Sequence, residues 1–223
     1  MDTPDILCLR FKNEAASVYE LARLDETGQP RRHTTVHRYL VSSNGTRNLL
    51  NFPEILNRNF TDEMTKGLTY AFIGLDRLEE LSSISSKSVN VFHILRGGLN
   101  FRLVHVLRAA FGYKWHSSSF VSSQRIQIGE GFGINEDAYR KFVVPANPTI
   151  YSGDIVATGA SIDSALGYLS RYLLENRIDL RNFVFVTIGC QEIEPILTLW
   201  DERFRSQFPG YERTILVYLE GRF

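Results

Sequence analysis

The chain has 223 residues, 43% of them hydrophobic, which is enough for one sizeable core or for one domain with an appendage. Its 25 basic and 25 acidic residues cancel and the sequence pI is near 7.0, which excludes the general basic excess of a non-specific nucleic-acid binder. No uninterrupted apolar run approaches the roughly 20 residues that span a bilayer. The opening Met1-Asp-Thr-Pro-Asp5 is acidic and polar, unlike a secretory signal. Cys8 and Cys190 are far apart and match no metal or redox spacing. Two buried thiols in a reducing cytosol are expected, with a single disulfide as the alternative. The composition therefore predicts a soluble, cytoplasmic protein with neither nucleic acid nor membrane as partner.

In chain order, Ile6 to Phe11 predicts a short strand. Ala16 to Leu24 follows with an ambiguous period, then the turn signal Glu26-Thr-Gly-Gln-Pro30 and the β-branched, aromatic run Thr34 to Val41. Together they predict an N-terminal β-hairpin. Ser42 to Thr46 reads as a loop. Phe52 to Asn57 reads as a helix opening, with Pro53 at an early position. Thr61-Asp-Glu-Met64 reads as a cap followed by acids, leading a helix to about Ser82 with Met64, Leu68, Ala71, Phe72, Leu75 and Leu78 on one face.

From Val89 the pattern becomes alternating. Strands are predicted at Val89 to Leu95, around Tyr113 to Ser122, at Thr149 to Val156, Asn182 to Ile188 and Thr214 to Leu219. Helices are predicted at Leu99 to Ala110, Ser161 to Glu175 and Ile193 to Phe204. Gln124 to Asp137, with its glycines and charges, reads as a long loop. Strands alternating with helices of roughly 10 to 15 residues predict an α/β fold, a parallel twisted sheet flanked by helices. Residues 1–48 are expected to form a β-rich extension and residues 49–223 the α/β domain.

Ligands of open α/β sheets collect at the carboxyl ends of the strands. There, the apolar strand ending at Val156 runs into Ala157-Thr-Gly-Ala-Ser161, a turn of small residues that opens a helix. Backbone N–H groups at a helix start, the helix dipole and the hydroxyls of Thr158 and Ser161 make an anion site, and Gly159 allows close approach. Asp154, just upstream, is placed to accept hydrogen bonds from sugar hydroxyls. Phosphate plus diol points to a ribose phosphate. The plainer alternative is helix–strand packing through small residues, with Ser161 an ordinary cap. A second strand-end loop, Ile94-Leu-Arg-Gly-Gly-Leu99, brings the cation of Arg96 and the amides of Gly97 and Gly98 to one point, which suits a diphosphate; a tight turn with a surface Arg is the alternative.

The segment from Gly153 to Ser161 resembles the signature of type I phosphoribosyltransferases, which is two acids, two apolar residues and then a Thr-Thr-Gly-x-Thr variant. The version in uracil phosphoribosyltransferases, ending Ala-Thr-Gly-Gly-Ser, is the most similar in motif. Gly153 stands where the family places its first acid, and Asp154 fills the second. The Arg96 loop resembles the Leu-Arg-Ala-Gly-Leu loop that holds the donor's pyrophosphate in the uracil enzymes. The resemblance spans about residues 85–190.

That resemblance implies a type I phosphoribosyltransferase-like enzyme of nucleotide metabolism that transfers ribose 5-phosphate from phosphoribosyl diphosphate to a nitrogenous base, with Mg²⁺, as a homodimer. The 5-phosphate falls to Ala157, Thr158, Gly159, Ala160 and Ser161, the ribose hydroxyls to Asp154, and the pyrophosphate to Arg96, Gly97 and Gly98. The long loop corresponds to the family's mobile lid, which excludes water. Arg125, Arg140 and Lys141 then neutralise the departing pyrophosphate, and Tyr139 and Lys141 match a Tyr and a Lys of the uracil enzymes; a solvated charged loop is the alternative. No direct protein ligand to Mg²⁺ is expected, since that ion keeps water and donor oxygens. The uracil-reading Pro-Glu-Gly turn and Gly-x-Gly-Asp stretch are missing; Gly189-Cys-Gln-Glu192 and Leu219-Glu-Gly-Arg-Phe223 stand in their places. Gln191 and Glu192 read either as base-binding or as polar helix starts. His93 reads as a core histidine. The rival overall reading is a donor-binding sensor without catalysis.

Overall fold

The computed structural model describes residues 4–32, 34–95, 97–122, 124–128, 131–135 and 139–222, with the backbone alone described at 97, 124–128 and 131–135. The first strands, β1 (Ile6–Lys12) and β2 (Ala16–Leu24), pair antiparallel, and the hairpin predicted about the turn at 26–30 is the antiparallel pair that β2 makes with residues 37–43. A two-residue strand β3 (Pro30–Arg31) flanks β2. β4 (His37–Ser43) pairs antiparallel with β2 on one side. On its other side it pairs in parallel with the last strand of the chain, so the N-terminal strands extend the main sheet.

Ser42 to Thr46 is not a loop. Ser43 caps a helix, α1 (Asn44–Asn51), in a reciprocal box with Thr46, the Ser43 hydroxyl accepting the Thr46 N–H at 3.2 Å. Phe52 to Leu56 breaks the helical run instead of opening it. The long helix α2 (Asn57–Glu79) starts beyond it, and Thr61 lies within its first turns, its hydroxyl donating to the Asn57 carbonyl. The face of α2 that the spacing predicts, from Met64 to Leu75, is the buried one.

The α/β repeat then follows as β5 (Val89–Leu95), a 3₁₀ turn at Gly97–Phe101, α3 (Leu103–Phe111), β6 (Ser117–Ser122), a separate hairpin of β7 (Gln124–Ile128) and β8 (Gly131–Asn135), and β9 (Arg140–Lys141). It continues as β10 (Thr149–Val156), α4 (Ala160–Glu175), β11 (Asn182–Gly189), α5 (Ile193–Gln207) and β12 (Arg213–Arg222). The hairpin replaces the loop expected at 124–137. Its sequence alternates, with Ile126 and Ile128 on one arm and Phe132 and Ile134 on the other, a period-2 signal that the charges and glycines mask.

The sheet order is β1-β2-β4-β12-β11-β10-β5-β6-β9, parallel from β4 to β6. Along each central strand, alternate side chains go to opposite faces. Val89, Val91, Tyr151, Val184 and Val217 pack under α2 and α3. Phe92, Ile94, Ile150, Phe183 and Leu216 pack under α4 and α5. The topology explains this division. From the β5–β10 seam, β5-α3-β6 moves one way and β10-α4-β11 the other. Crossovers of the same right hand then place α3 and α4 on opposite faces.

Candidate functional site

The β5–β10 seam is the topological switch point of the sheet, where two neighbouring parallel strands send their chains in opposite directions and leave a crevice at their carboxyl ends. The ladder between them ends at Ser152 and Phe92, where the Ser152 hydroxyl donates to the Phe92 carbonyl at 2.8 Å. Beyond that point the strands part. Both glycine-bearing loops singled out in the sequence open here, and the turn at Gly98 lies directly against Gly153 of β10. A Cβ on Gly98 would lie 2.8 Å from the Gly153 carbonyl oxygen, so only glycine permits the approach.

The β10 side of the crevice is an uncapped helix start. Gly159, at φ +74°, is the N-cap of α4, and no side chain caps the helix. Ser161 is therefore not the cap; it lies inside the first turn. The first intrahelical bond runs from the Asp163 N–H to the Gly159 carbonyl at 3.0 Å, so the N–H groups of the first turn have no intrahelical acceptor. Ala157, Thr158 and Ala160 are exposed, and Ser161 is half-buried. Cys190 engages one carbonyl of this loop, its thiol donating to the Ala157 carbonyl at 2.8 Å. Burial, then the Glu192 carboxylate, pushes that thiol up, which keeps it a donor at neutral pH. Asp163 accepts from the Trp200 indole at 2.7 Å and ties α4 to α5.

Asp154 stands half-exposed at the end of β10, its carboxylate accepting the Ile155 N–H at 2.9 Å. Gly153, the position of the missing acid, is buried. A Cβ there would meet Phe101 Cγ at 2.9 Å, because the 3₁₀ turn lays the fully buried Phe101 ring across it. The vacancy in the sequence pattern is thus filled by an aromatic ring. Ile155, which the strand pattern assigns to the core, is 57% exposed beside the loop. The sequence carries no local signal of this, because β10 is buried continuously from Thr149 to Gly153 with no alternation to break.

Arg96 lies outside the described residues, as do 123, 129–130 and 136–138 of the expected lid, and nothing is described of the Arg125 side chain. Gly97 opens the 3₁₀ turn beside Gly98. Tyr139 and Lys141 are exposed on and beside β9, three strand positions from β10. At the usual strand spacing that is about 14 Å from β10 and about 9 Å from β5, whose end carries the Gly97–Gly98 turn. Arg140 is engaged elsewhere, its guanidinium lying over the Tyr168 ring of α4 at 4.3 Å. Gln191 and Glu192 are exposed at the end of β11, next to the crevice; α5 starts with a backbone bond, Glu194 N–H to the Gln191 carbonyl at 2.9 Å, and uses neither side chain as a cap. His93 is a core residue stacked on Phe120 at 4.8 Å, and burial, then the charge of His116, lowers its pKa to about 4.

On the far side, β12 runs on to Arg222, which pairs with Asp5 at 2.5 Å and Glu194 at 3.0 Å. Arg38 joins the same cluster. Ion pairs therefore tie the end of β12 to Asp5 and to Glu194 of α5. Among the described residues, no group of three or more His, Cys, Asp or Glu side chains could hold a metal ion. Asp154, three residues before the 157–161 loop, and Asp163, two residues after it, are the carboxylates that flank the loop in sequence.

No family model matches the chain, and no curated protein matches it. Solved structures do show likeness. A hypoxanthine-guanine phosphoribosyltransferase from Bacillus anthracis is 13% identical with a TM-score of 0.37, over 59% of this chain and 69% of that one. A purine phosphoribosyltransferase from Pyrococcus horikoshii is 12% identical with a TM-score of 0.37, over 75% and 92%. A hypoxanthine phosphoribosyltransferase from Staphylococcus aureus is 12% identical with a TM-score of 0.39, over 75% and 78%. None of these three is a uracil enzyme. Likeness at this level leaves the chain's own geometry to carry the functional argument.

Proposed function

We propose that the chain binds phosphoribosyl diphosphate in the β5–β10 crevice and transfers its ribose 5-phosphate to a nitrogen heterocycle, releasing pyrophosphate. The observation that carries this reading is the meeting, at one switch point, of an uncapped helix start at residues 157–161 and a glycine turn at 97–98, with Asp154 at the end of the same strand. One loop suits a phosphate, the other a diphosphate, and the carboxylate between them suits a diol.

In this reading the amides of the first turn of α4, with Thr158 and Ser161, hold the 5-phosphate. Asp154 accepts from the ribose hydroxyls. The amides of Gly97 and Gly98, with Arg96, hold the diphosphate. A ring nitrogen of the acceptor attacks the anomeric carbon, the bond to the diphosphate oxygen breaks, and pyrophosphate leaves with that electron pair. Such a loose displacement needs positioning and charge stabilisation more than a covalent nucleophile. Mg²⁺ would be carried on the donor's own oxygens and water, since the described residues offer it no cage. Ile155 offers an apolar wall, and Gln191 and Glu192 offer polar groups, for an acceptor ring. A cytoplasmic setting is part of the reading and is supported by both cysteines being free thiols.

One observation favours a second reading, a donor-binding sensor. The ring of Phe101 covers Gly153, so one of the family's two ribose contacts is absent. Incubation with phosphoribosyl diphosphate, Mg²⁺ and a panel of bases, with pyrophosphate release followed, separates the two. Release with one base supports transfer. Tight donor binding with no release on any base supports the sensor. A chain that binds no donor at all refutes both.

A further inference from the structure

We propose that the outer face of α4 carries a second anion site, suited to a phosphate or phosphate monoester and separate from the strand-end crevice. A depression of about 350 Å³ opens there, lined by Arg140 of β9 and by Ser164, Gly167, Tyr168 and Arg171 of α4. The four helical residues share one face by their spacing. The lining brings together two guanidinium groups, a hydroxyl and a phenol ring. The Arg140 guanidinium lies over the Tyr168 ring at 4.3 Å, which fixes its plane and leaves its N–H edge for an anion. Among the described residues, neither Arg140 nor Arg171 forms an ion pair, although Glu175 lies one helical turn beyond Arg171. Guanidinium groups that converge without carboxylates suit phosphate oxygens.

Gly167 is the second observation. A glycine inside a helix costs about 1 kcal/mol relative to alanine. Packing does not require it here, because a Cβ would meet only Trp200 atoms, at 3.9 Å and beyond, in ordinary contact. Its effect is to leave the floor of the depression open between Ser164 and Arg171. The site also bridges two elements that matter elsewhere. α4 begins at the phosphate loop, and β9 is the strand to which the chain returns after the β7–β8 hairpin, so an occupant would tie the two together.

The test is calorimetric titration of inorganic phosphate into the full chain, the Arg171→Gln variant, the Gly167→Met variant and a Thr158→Val/Ser161→Ala variant of the strand-end loop. Arg171 is exposed, and an unchanged melting temperature checks its variant's fold. The parent is expected to take up two phosphates. Arg171→Gln should weaken one site at least tenfold, and Gly167→Met should block the same site sterically, while both keep their titration with phosphoribosyl diphosphate. The loop variant should lose the other site and keep this one. If the donor reading fails and this one holds, the parent binds one phosphate and Arg171→Gln removes it. Parent-like phosphate binding in both Arg171→Gln and Gly167→Met would overturn the proposal, as would a loop variant that binds no phosphate.

Discussion

Replacing Gly153 by alanine tests why the acid of the signature is absent. At an ordinary strand position, Gly→Ala stabilises by roughly 0.5–1 kcal/mol, because glycine loses more chain entropy on folding. Here the new Cβ would lie 2.9 Å from Phe101 Cγ and 3.1 Å from Cδ1. Carbon atoms prefer about 3.5–4.0 Å, so the ring must retreat by roughly 0.6 Å or more. Phe101 is fully buried, so it has no free space to enter. Overpacking of this kind costs about 1–3 kcal/mol, which outweighs the entropic gain. Urea denaturation should therefore show Gly153→Ala net destabilised by about 1–2 kcal/mol. Pairing it with Phe101→Leu should recover part of that loss, giving a non-additive cycle. Gly153→Asp should behave like the alanine variant or worse, and should not strengthen donor binding. A Gly153→Ala chain as stable as the parent or more so, with additive behaviour, would refute the steric argument.

Three further outcomes follow from the site and its surroundings. Gly159→Ala forces a side chain into φ +74° and sets its Cβ 2.1 Å from Ile196 Cδ1, so it should cost about 1–2 kcal/mol and weaken phosphate binding, read by melting temperature and phosphate titration. Cys190→Ala removes the thiol donor to the Ala157 carbonyl; the stability change should stay near 1 kcal/mol, while donor affinity drops several-fold on titration. His93, with its pKa lowered from 6.5 to about 4, is held neutral in the fold, so its contribution is complete above pH 6.5 and is lost as pH falls from 6.5 towards 4. After allowance for partial solvent access the loss is roughly 2–3 kcal/mol, and urea denaturation of His93→Gln at pH 7, 5.5 and 4.5 should show a flatter pH dependence than the parent. Equal slopes would contradict the assignment.

The central strands were legible because their apolar runs are buried on both faces and bounded by turn residues, as at Val89 to Leu95 and Asn182 to Gly189. The turn at 157–161 was legible because small residues directly follow an apolar strand and open a helical pattern. What the sequence hid was mostly side-chain placement. Nothing local says that Phe101 folds back over Gly153, because the 3₁₀ turn brings them together across two strands. Ile155 reads as core until the neighbouring ladder is seen to end at Ser152. α1 was hidden because Ser43-Asn-Gly-Thr46 looks like a turn, whereas its Ser and Thr form a capping box.

The most direct measurement is calorimetric titration of phosphoribosyl diphosphate with Mg²⁺ into the parent and into Asp154→Asn. Asp154 is expected to accept charge-assisted hydrogen bonds from two ribose hydroxyls, each worth about 1.5–3 kcal/mol. The substitution should therefore weaken binding by about 100-fold or more, since 1.4 kcal/mol is a factor of ten. The parent should give a saturable isotherm and Asp154→Asn near-complete loss of binding with an unchanged melting temperature. Equal affinity in the two chains, or no binding by the parent, would contradict it.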